Sequence, residues 1–306
     1  VVTGADMAAD LQELCPQIPA ENYLLEPAPR GTAAVVGLAA AYLQKRDPQA
    51  NMAVLTSDHL ISDVDLFQKF LKSAESVARK GYLVTLGIHP TSPSTGYGYI
   101  QRGESLDLDE GQPVFKVLKF KEKPDEVTAL AMVEDGQHDW NSGMFIWTVE
   151  NIWQEFRKQM PDLYEALVVI AEGWGDPGQK EKVESAWMAI RPQTIDYGIM
   201  EHAQQVAVIP AEGLGWNDVG SWDSLFEVLP ADETGTIALV DHYLGMETQH
   251  NLVISEKADR LVALVGVEDL VVIDSGDILL VCHQSKSQKV REIVQLLKQA
   301  GKNRYL

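Results

Sequence analysis

Two short apolar runs constrain this chain more than anything else in it. NMAVL (residues 51–55) and YLVTLGI (residues 82–88) show no regular polar alternation. That is the pattern of strands buried on both faces of a sheet. Helix-like segments bracket them: residues 32–46, stopped by Asp47-Pro48, and residues 63–80. Strand and helix in that rhythm predict an α/β fold with a mostly parallel sheet covered by helices. Residues 1–3 and 22–25 add earlier strands around a helix at 6–14. The middle is less regular, with strands expected at 97–102, 114–123, 141–148 and 206–209 and helices at 150–159, 182–190 and 222–228.

From residue 236 the character changes. TIALV, NLVI, RLVALVGV, DLVVID and DILLVC follow at short intervals and predict a small all-β unit. A sandwich, a meander and a short β-solenoid all fit. A helix over 288–299 closes the chain. The expected boundary lies near Pro230, giving domains 1–230 and 231–306.

Charge narrows the partners. Lys and Arg number 25 against 45 Asp and Glu, a net charge of −20. Nucleic acid and anionic membranes would repel such a chain. Phosphorylated small molecules remain open, since they need only a local cation. The longest apolar run, 33–43, falls short of the roughly 20 residues a bilayer requires. Cys15 and Cys282 are too few for a disulfide framework, so a cytoplasmic setting is expected.

Several clusters carry possible chemistry. Thr56-Ser57-Asp58-His59 follows the NMAVL strand, and ligands in open α/β sheets bind beyond strand carboxyl ends. Asp58 there suits Mg²⁺ or caps the next turn. Asp218 lies in Gly215-Trp216-Asn217-Asp218-Val219-Gly220-Ser221-Trp222 and is either a second metal carboxylate or an N-cap. In Phe120-Lys121-Glu122-Lys123-Pro124 the proline favours an extended Lys123, with Glu122 and Lys123 on opposite sides. A carboxylate suits sugar hydroxyls and an ammonium suits phosphate, but a solvated charged turn also fits. Asn141 offers both a donor and an acceptor, or bonds its own backbone in a turn. Gly96 in TGYG allows close backbone approach to a ligand or makes an ordinary turn. The stretch from Glu26 through Arg30 to Thr32 opens a helix whose N–H groups face a ligand or a cap.

The order of these motifs resembles one family. EP…R-x-T-A, SDH, GYGYI, FxEKP, WNSGMF, IDYGIME and GWNDVGSW succeed one another as in the sugar-nucleotide pyrophosphorylases, and WNSGMF with GWNDVGSW is similar to the bacterial mannose-1-phosphate guanylyltransferase group. The resemblance implies a nucleotidyltransferase domain with a Rossmann-like sheet and a small C-terminal β domain, often a short left-handed β-helix. It implies GMP transfer from GTP to α-D-mannose 1-phosphate, with Mg²⁺ on Asp58 and Asp218. Lys123 would hold the sugar phosphate. Glu122 and Asn141 would bond mannose hydroxyls beside Gly96, and Asp196 and Glu201 of IDYGIME would also serve the sugar side. Glu26, Arg30 and Thr32 would lie near the nucleotide, and a homodimer is expected. The family's opening strand, its Gly-rich loop with a catalytic Arg and its Lys-Pro segment are not in this sequence. The expectation is therefore of an N-terminally incomplete domain without the triphosphate cradle. Pro29, Gly31 and Ala34 also replace the Gly, Asn and Pro of the family's EPxGRNTAPA. A transferase for another hexose 1-phosphate or base, and a non-catalytic sugar-nucleotide sensor, are the alternatives.

Overall fold

The computed structural model describes residues 1–108 and 111–305. In chain order the elements begin β1 (Val2–Gly4), α1 (Ala8–Leu14), β2 (Leu24–Glu26), α2 (Thr32–Arg46), β3 (Asn51–Val54), β4 (Leu60–Ile61) and α3 (Val64–Ala78). Next come β5 (Leu83–Ile88), β6 (Tyr99–Ser105), β7 (Phe115–Lys121), α4 (Glu126–Glu134), β8 (His138–Thr148), α5 (Val149–Gln159), α6 (Pro161–Gly173) and α7 (Lys180–Ala189). Then follow β9 (Val206–Pro210), β10 (Trp216–Asn217) and α8 (Leu225–Val228). The last part holds β11 (Ile237–Leu239), β12 (His242–Met246), β13 (Leu252–Ser255), β14 (Leu261–Val265), β15 (Leu270–Ser275), β16 (Ile278–His283) and α9 (Val290–Gln299). Packing divides the chain into two compact units. Unit 1 is Val1–Thr56 with Asp63–Leu214, and unit 2 is Ser57–Ser62 with Gly215–Leu306.

Unit 1 is an α/β layer structure around a six-stranded sheet of order β3-β8-β5-β9-β7-β6. Four of its strands, β3, β5, β6 and β9, point one way, and β7 and β8 run against them. The parallel ladder inside this sheet is therefore β5–β9, because β8 inserts between β3 and β5. Side chains start the helices: Asp63, Asp125 and Thr148 accept from the N–H groups of Leu66, Thr128 and Asn151. Each fills a donor that a helix start leaves open. The core is built of Leu38, Phe145, Trp147, Ile152, Phe156, Leu167 and Trp187, all buried, with the Phe145 and Trp147 rings stacked at 5.5 Å. Two helices, α4 and α6, go beyond the sequence pattern. Pro161 reads as a breaker but stands in the first turn of α6, where its missing N–H costs nothing. Leu163, Leu167 and Ile170 then bury at helical spacing.

Unit 2 is a β-coil. β11, β13 and β15 stack in parallel, as do β12 and β14, and β16 turns back antiparallel on β15. Of the three forms open from sequence, this is the solenoid. Gly235, His250 and Asp269 stand just ahead of β11, β13 and β15, with φ of 75°, 52° and 56°. These corners need a left-handed residue, and glycine, histidine and aspartate tolerate one better than most. Asn251 is buried in the same corner, where its amide donates to Gln249 O and accepts from Leu270 N. The packing division falls at Leu214, ahead of the expected Pro230. The reason is that Trp222, Leu225, Phe226 and Leu229 pack on the coil core of Ile237, Leu252 and Val271.

Candidate functional site

Unit 1 gathers Glu122, Asn141, Asp196 and Glu201. Glu122 follows β7, Asn141 lies inside β8, and Asp196 opens a π-helix over Asp196–Met200. π-Helices are rare and concentrate at functional positions. Asn141 Nδ2 donates to Asp196 Oδ1 at 3.0 Å. Asn141 Oδ1 accepts from Thr85 Oγ1 and from Gly143 N, both at 3.2 Å. The amide is thus held from both ends, with one Nδ2 hydrogen left for a ligand. Glu201 Oε1 accepts from Glu122 N at 3.2 Å, so Glu201 fixes the backbone that carries Glu122. Burial, reinforced by the Asp196 charge, pushes the Glu122 carboxyl above its usual range. Burial also raises Asp196, against the Asn141 hydrogen bond.

One expectation changes here. Lys123 is not extended: its φ is 43°, in the left-handed region. β7 ends at Lys121, so strand alternation does not reach Glu122 and Lys123. The Lys123 ammonium instead lies 3.5 Å from Glu122 Oε1. A non-glycine residue held at that φ costs of order 1 kcal/mol, and such strain gathers at working sites. Gly96 is exposed and has room for a side chain. Gly98 is the crowded glycine of this loop: its carbonyl accepts from Asn141 N at 2.8 Å, and a Cβ on it would meet the Glu122 carboxylate. Thr32 also spends its hydroxyl oxygen on the protein, accepting from Ile195 N at 3.0 Å.

The stretch from Glu26 to Thr32 lies in the same unit. Glu26 ends β2; burial raises its carboxyl, and Oε2 is buried with no hydrogen-bond partner. Arg30 donates from Nη2 to Met188 O at 2.9 Å, while its buried Nε has no partner. Gly31, at φ 80°, presses against the Gln193 carbonyl so closely that any Cβ would clash.

Asp58 and Asp218 belong to unit 2. Antiparallel pairing of β4 with β10 sets Leu60 opposite Asn217, next to both aspartates. Each carboxylate acts electrostatically on the His59 ring, whose pKa is lowered chiefly by burial. His59 Nδ1 accepts from Trp216 Nε1 at 3.0 Å. Asp63 caps α3 and Ser221 stands at the N-cap of the turn at Trp222, while Asp218 Oδ1 accepts from Gly220 N at 3.3 Å within its own turn. Val219, a β-branched residue at φ 46°, follows Asp218 directly. Among the described residues no group of three or more His, Cys, Asp or Glu is arranged to hold a metal. The donor set at this place is two hard carboxylates. That fits Mg²⁺, which takes one or two protein carboxylates and fills its other positions with phosphate oxygens and water.

Sequence reasoning missed Thr85, Gly98 and Gln193. Thr85 and Gly98 sit in runs that read as strand and turn, and only the register of β5 on β8 brings Gly87 opposite Asn141. A buried hydroxyl in an otherwise apolar strand was the available signal for Thr85.

No helix among the described residues is long and apolar enough to cross a membrane. Residues 2–235 match the Nucleotidyl transferase family, and residues 241–297 match the MannoseP isomerase/GMP-like beta-helix domain. The chain is 36% identical over 288 residues to the mannose-1-phosphate guanylyltransferase of Escherichia coli, covering 93% of this chain and 59% of that protein. It is 35% identical over 283 residues to the alginate biosynthesis protein AlgA of Pseudomonas putida, covering 92% and 57%. The chain therefore spans less than two thirds of the curated relatives it matches. A crystal structure from Thermus thermophilus, described as a mannose-1-phosphate geranyltransferase, superposes with a TM-score of 0.83 at 30% identity, covering 97% of this chain and 83% of that one. With the α/β unit, the β-coil and these matches together, the chain belongs to the nucleotidyl transferase family.

Proposed function

We infer that this chain carries out, or forms part of an enzyme that carries out, transfer of GMP from GTP to α-D-mannose 1-phosphate, giving GDP-mannose and pyrophosphate. One observation carries the reading: Glu122, Asn141 and Asp196 form a pre-oriented polar cluster beside a strained lysine. Such a cluster offers acceptors and a donor for sugar hydroxyls and an ammonium for the attached phosphate. Its relatives' names point to the same sugar phosphate.

The reaction is an in-line displacement. An oxygen of the sugar phosphate attacks the α-phosphorus of GTP, the bond to the β-phosphate oxygen breaks, and pyrophosphate leaves with that electron pair. Two polyanions must meet in the right orientation, so positioning and charge neutralisation are the main requirements. Lys123 holds the sugar phosphate. Glu122 and Asn141 bond the mannose hydroxyls, with Asp196 orienting Asn141 and Glu201 supporting Glu122. The unpartnered Glu26 Oε2 is an acceptor for base N–H groups, and Arg30 Nε a donor nearby in sequence. Asp58 and Asp218 are the carboxylates suited to Mg²⁺, whose charge would offset that of the phosphates. A homodimer and a cytoplasmic location go with this reading, the latter in keeping with the free thiols of Cys15 and Cys282.

Pyrophosphate release tests it, across four nucleoside triphosphates and the 1-phosphates of mannose, glucose and N-acetylglucosamine. A dominant signal for GTP with mannose 1-phosphate is expected. Lys123→Ala should raise the sugar-phosphate KM by about 10²-fold, as a phosphate loses its cation. Preference for another pair, or an unchanged KM in the variant, would overturn the assignment.

A further inference from the structure

A row of hydrogen bonds sews residues 28–33 to residues 187–195 within unit 1. Trp187 Nε1 donates to Ala28 O at 2.7 Å, and Arg30 Nη2 to Met188 O at 2.9 Å. Gln193 N donates to Arg30 O at 3.3 Å, and Ala33 N to Gln193 O at 3.1 Å. Ile195 N donates to Thr32 Oγ1 at 3.0 Å. The seam is tight because Gly31 has no Cβ to meet the Gln193 carbonyl.

The last bond has a particular place. The first N–H groups of any helix lack partners within it. Ile195 is the N-cap of the π-helix, and its own side chain offers no acceptor. Thr194 Oγ1 accepts from Tyr197 N at 3.4 Å, and the Ile195 N–H goes to Thr32, the first residue of α2. Ile195 is buried and Asp196 is the next residue, the one that receives Asn141 Nδ2. A chain of contacts therefore runs from the Thr32 hydroxyl through the Ile195 backbone to Asp196 and Asn141.

We propose that Thr32 is a positioning residue for the sugar side: its hydroxyl sets the start of the π-helix, and so the place of Asp196 against Asn141. This rests on the functional reading above for the identity of the ligand. It gives the Glu26–Thr32 stretch a second task beside the nucleotide, and it predicts that a change at Thr32 is felt by the hexose 1-phosphate.

The test compares Thr32→Val, which keeps the shape and removes the acceptor, with Thr32→Ser, which keeps the hydroxyl. Calorimetry gives the Kd of mannose 1-phosphate and of GTP. The NMR signal of the Asn141 side-chain amide reports the Asp196 contact without any ligand. In Thr32→Val the Asn141 signal should shift, and the Kd for mannose 1-phosphate should rise about fivefold, as for one lost hydrogen bond. The Kd for GTP should stay within about twofold on the same argument, and Thr32→Ser should restore the parent values. An unmoved Asn141 signal overturns the proposal. So does a shifted signal with an unchanged sugar-phosphate Kd, or a loss borne by GTP in its place. If the parent binds no mannose 1-phosphate, the functional reading fails first, and the Asn141 signal alone then decides the link from Thr32 to Asp196.

Discussion

Glu122 and Asp196 in unit 1 are half-buried carboxylates, raised in pKa by desolvation and tied into a hydrogen-bond network, whereas Asp58 and Asp218 in unit 2 lie beside a two-residue ladder and a strained turn. The first pair is oriented from behind: Thr85 and Gly143 hold Asn141, Asn141 holds Asp196, and Glu201 holds the Glu122 backbone. Asp58 is exposed and Asp218 half-buried, and Val219 bends left-handed directly after Asp218. Under the function proposed above, the contrast fits what each place would bind. Neutral hydroxyls are recognised by direction, so rigid, desolvated partners suit them. A hydrated divalent ion and its phosphates need charge with room for water, so open carboxylates suit them.

The largest effect should come from the open pair. Asp218→Ala should cut turnover by about 10³-fold, on the scale of losing a metal's charge stabilisation, while leaving circular dichroism and the melting curve of the chain unchanged. Full turnover in the variant would remove Asp218 from the chemistry and with it the contrast. Next is the buried side, probed at Asp139, a fully buried carboxylate two residues ahead of Asn141. Burial pushes its pKa up to about 6, partly offset by Arg102 at 3.5 Å. The folded chain thus holds the Asp139 proton more tightly than the unfolded chain does. The stability that goes with that proton is present below about pH 4 and is lost as pH rises through about 6. Asp139→Asn removes the titration. The parent's stability should fall relative to the variant by of order 2 kcal/mol between about pH 4 and about pH 6.5, read by urea unfolding. A constant difference would mean that Asp139 is solvated and that the buried side is less dry than its geometry indicates.

How far the sequence foretells this differs between the same two places. Helix α2 falls where its Ala- and Leu-rich run and Asp47-Pro48 predict, because local propensity and a stop signal agree. β3, β5 and β9 fall within a residue or two of their apolar runs for the same reason. Asp58, Glu122, Asn141 and Asp218 stand out from motif order, and three of the four have geometry beyond a solvated turn: Asn141 in its bonds, Glu122 in its burial and Asp218 in its strained neighbour. Lys123 reads as extended because proline disfavours helical backbone before it; the chain instead turns left-handed there, directly after the Glu122 N–H that Glu201 holds, a long-range contact that a dipeptide rule does not contain. Thr85 and Gly98 show in sequence only as a hydroxyl in an apolar run and as part of a Gly-rich loop, because their contacts with Asn141 depend on how the strands meet. Gly31 and Gln193, 162 positions apart, meet only once the sheet and helices have brought two loops together. The coil is ambiguous in sequence because strand spacing alone does not say whether neighbours run parallel, and strand β12 escapes notice because Gly245 interrupts its apolar run.

Smaller effects sharpen the comparison. Thr85→Val removes a hydroxyl whose one proton serves Met144 O at 3.1 Å and Asn141 Oδ1 at 3.2 Å, and leaves Asn141 Oδ1 with Gly143 N. One buried hydrogen bond is lost, so the sugar-phosphate KM should rise about tenfold and stability fall by about 1 kcal/mol. Thr85→Ser should recover most of both. A normal KM in Thr85→Val would mean that packing alone orients Asn141.

The smallest expected effect lies at Val219. A β-branched residue at φ 46° holds of order 1 kcal/mol of backbone strain, and asparagine occupies that region with less. Val219→Asn should therefore raise the urea midpoint, by an amount corresponding to about 1 kcal/mol. If the strained turn aims Asp218, the same substitution should lower turnover severalfold while leaving the KM for mannose 1-phosphate unchanged, since the proposed function gives that ligand to the hydrogen-bonded cluster of unit 1. A gain in stability with turnover intact would show that Asp218 tolerates a relaxed turn. The open pair would then differ from the buried one in needing no fixed direction at all, which is the behaviour expected of carboxylates that hold an ion through exchangeable water.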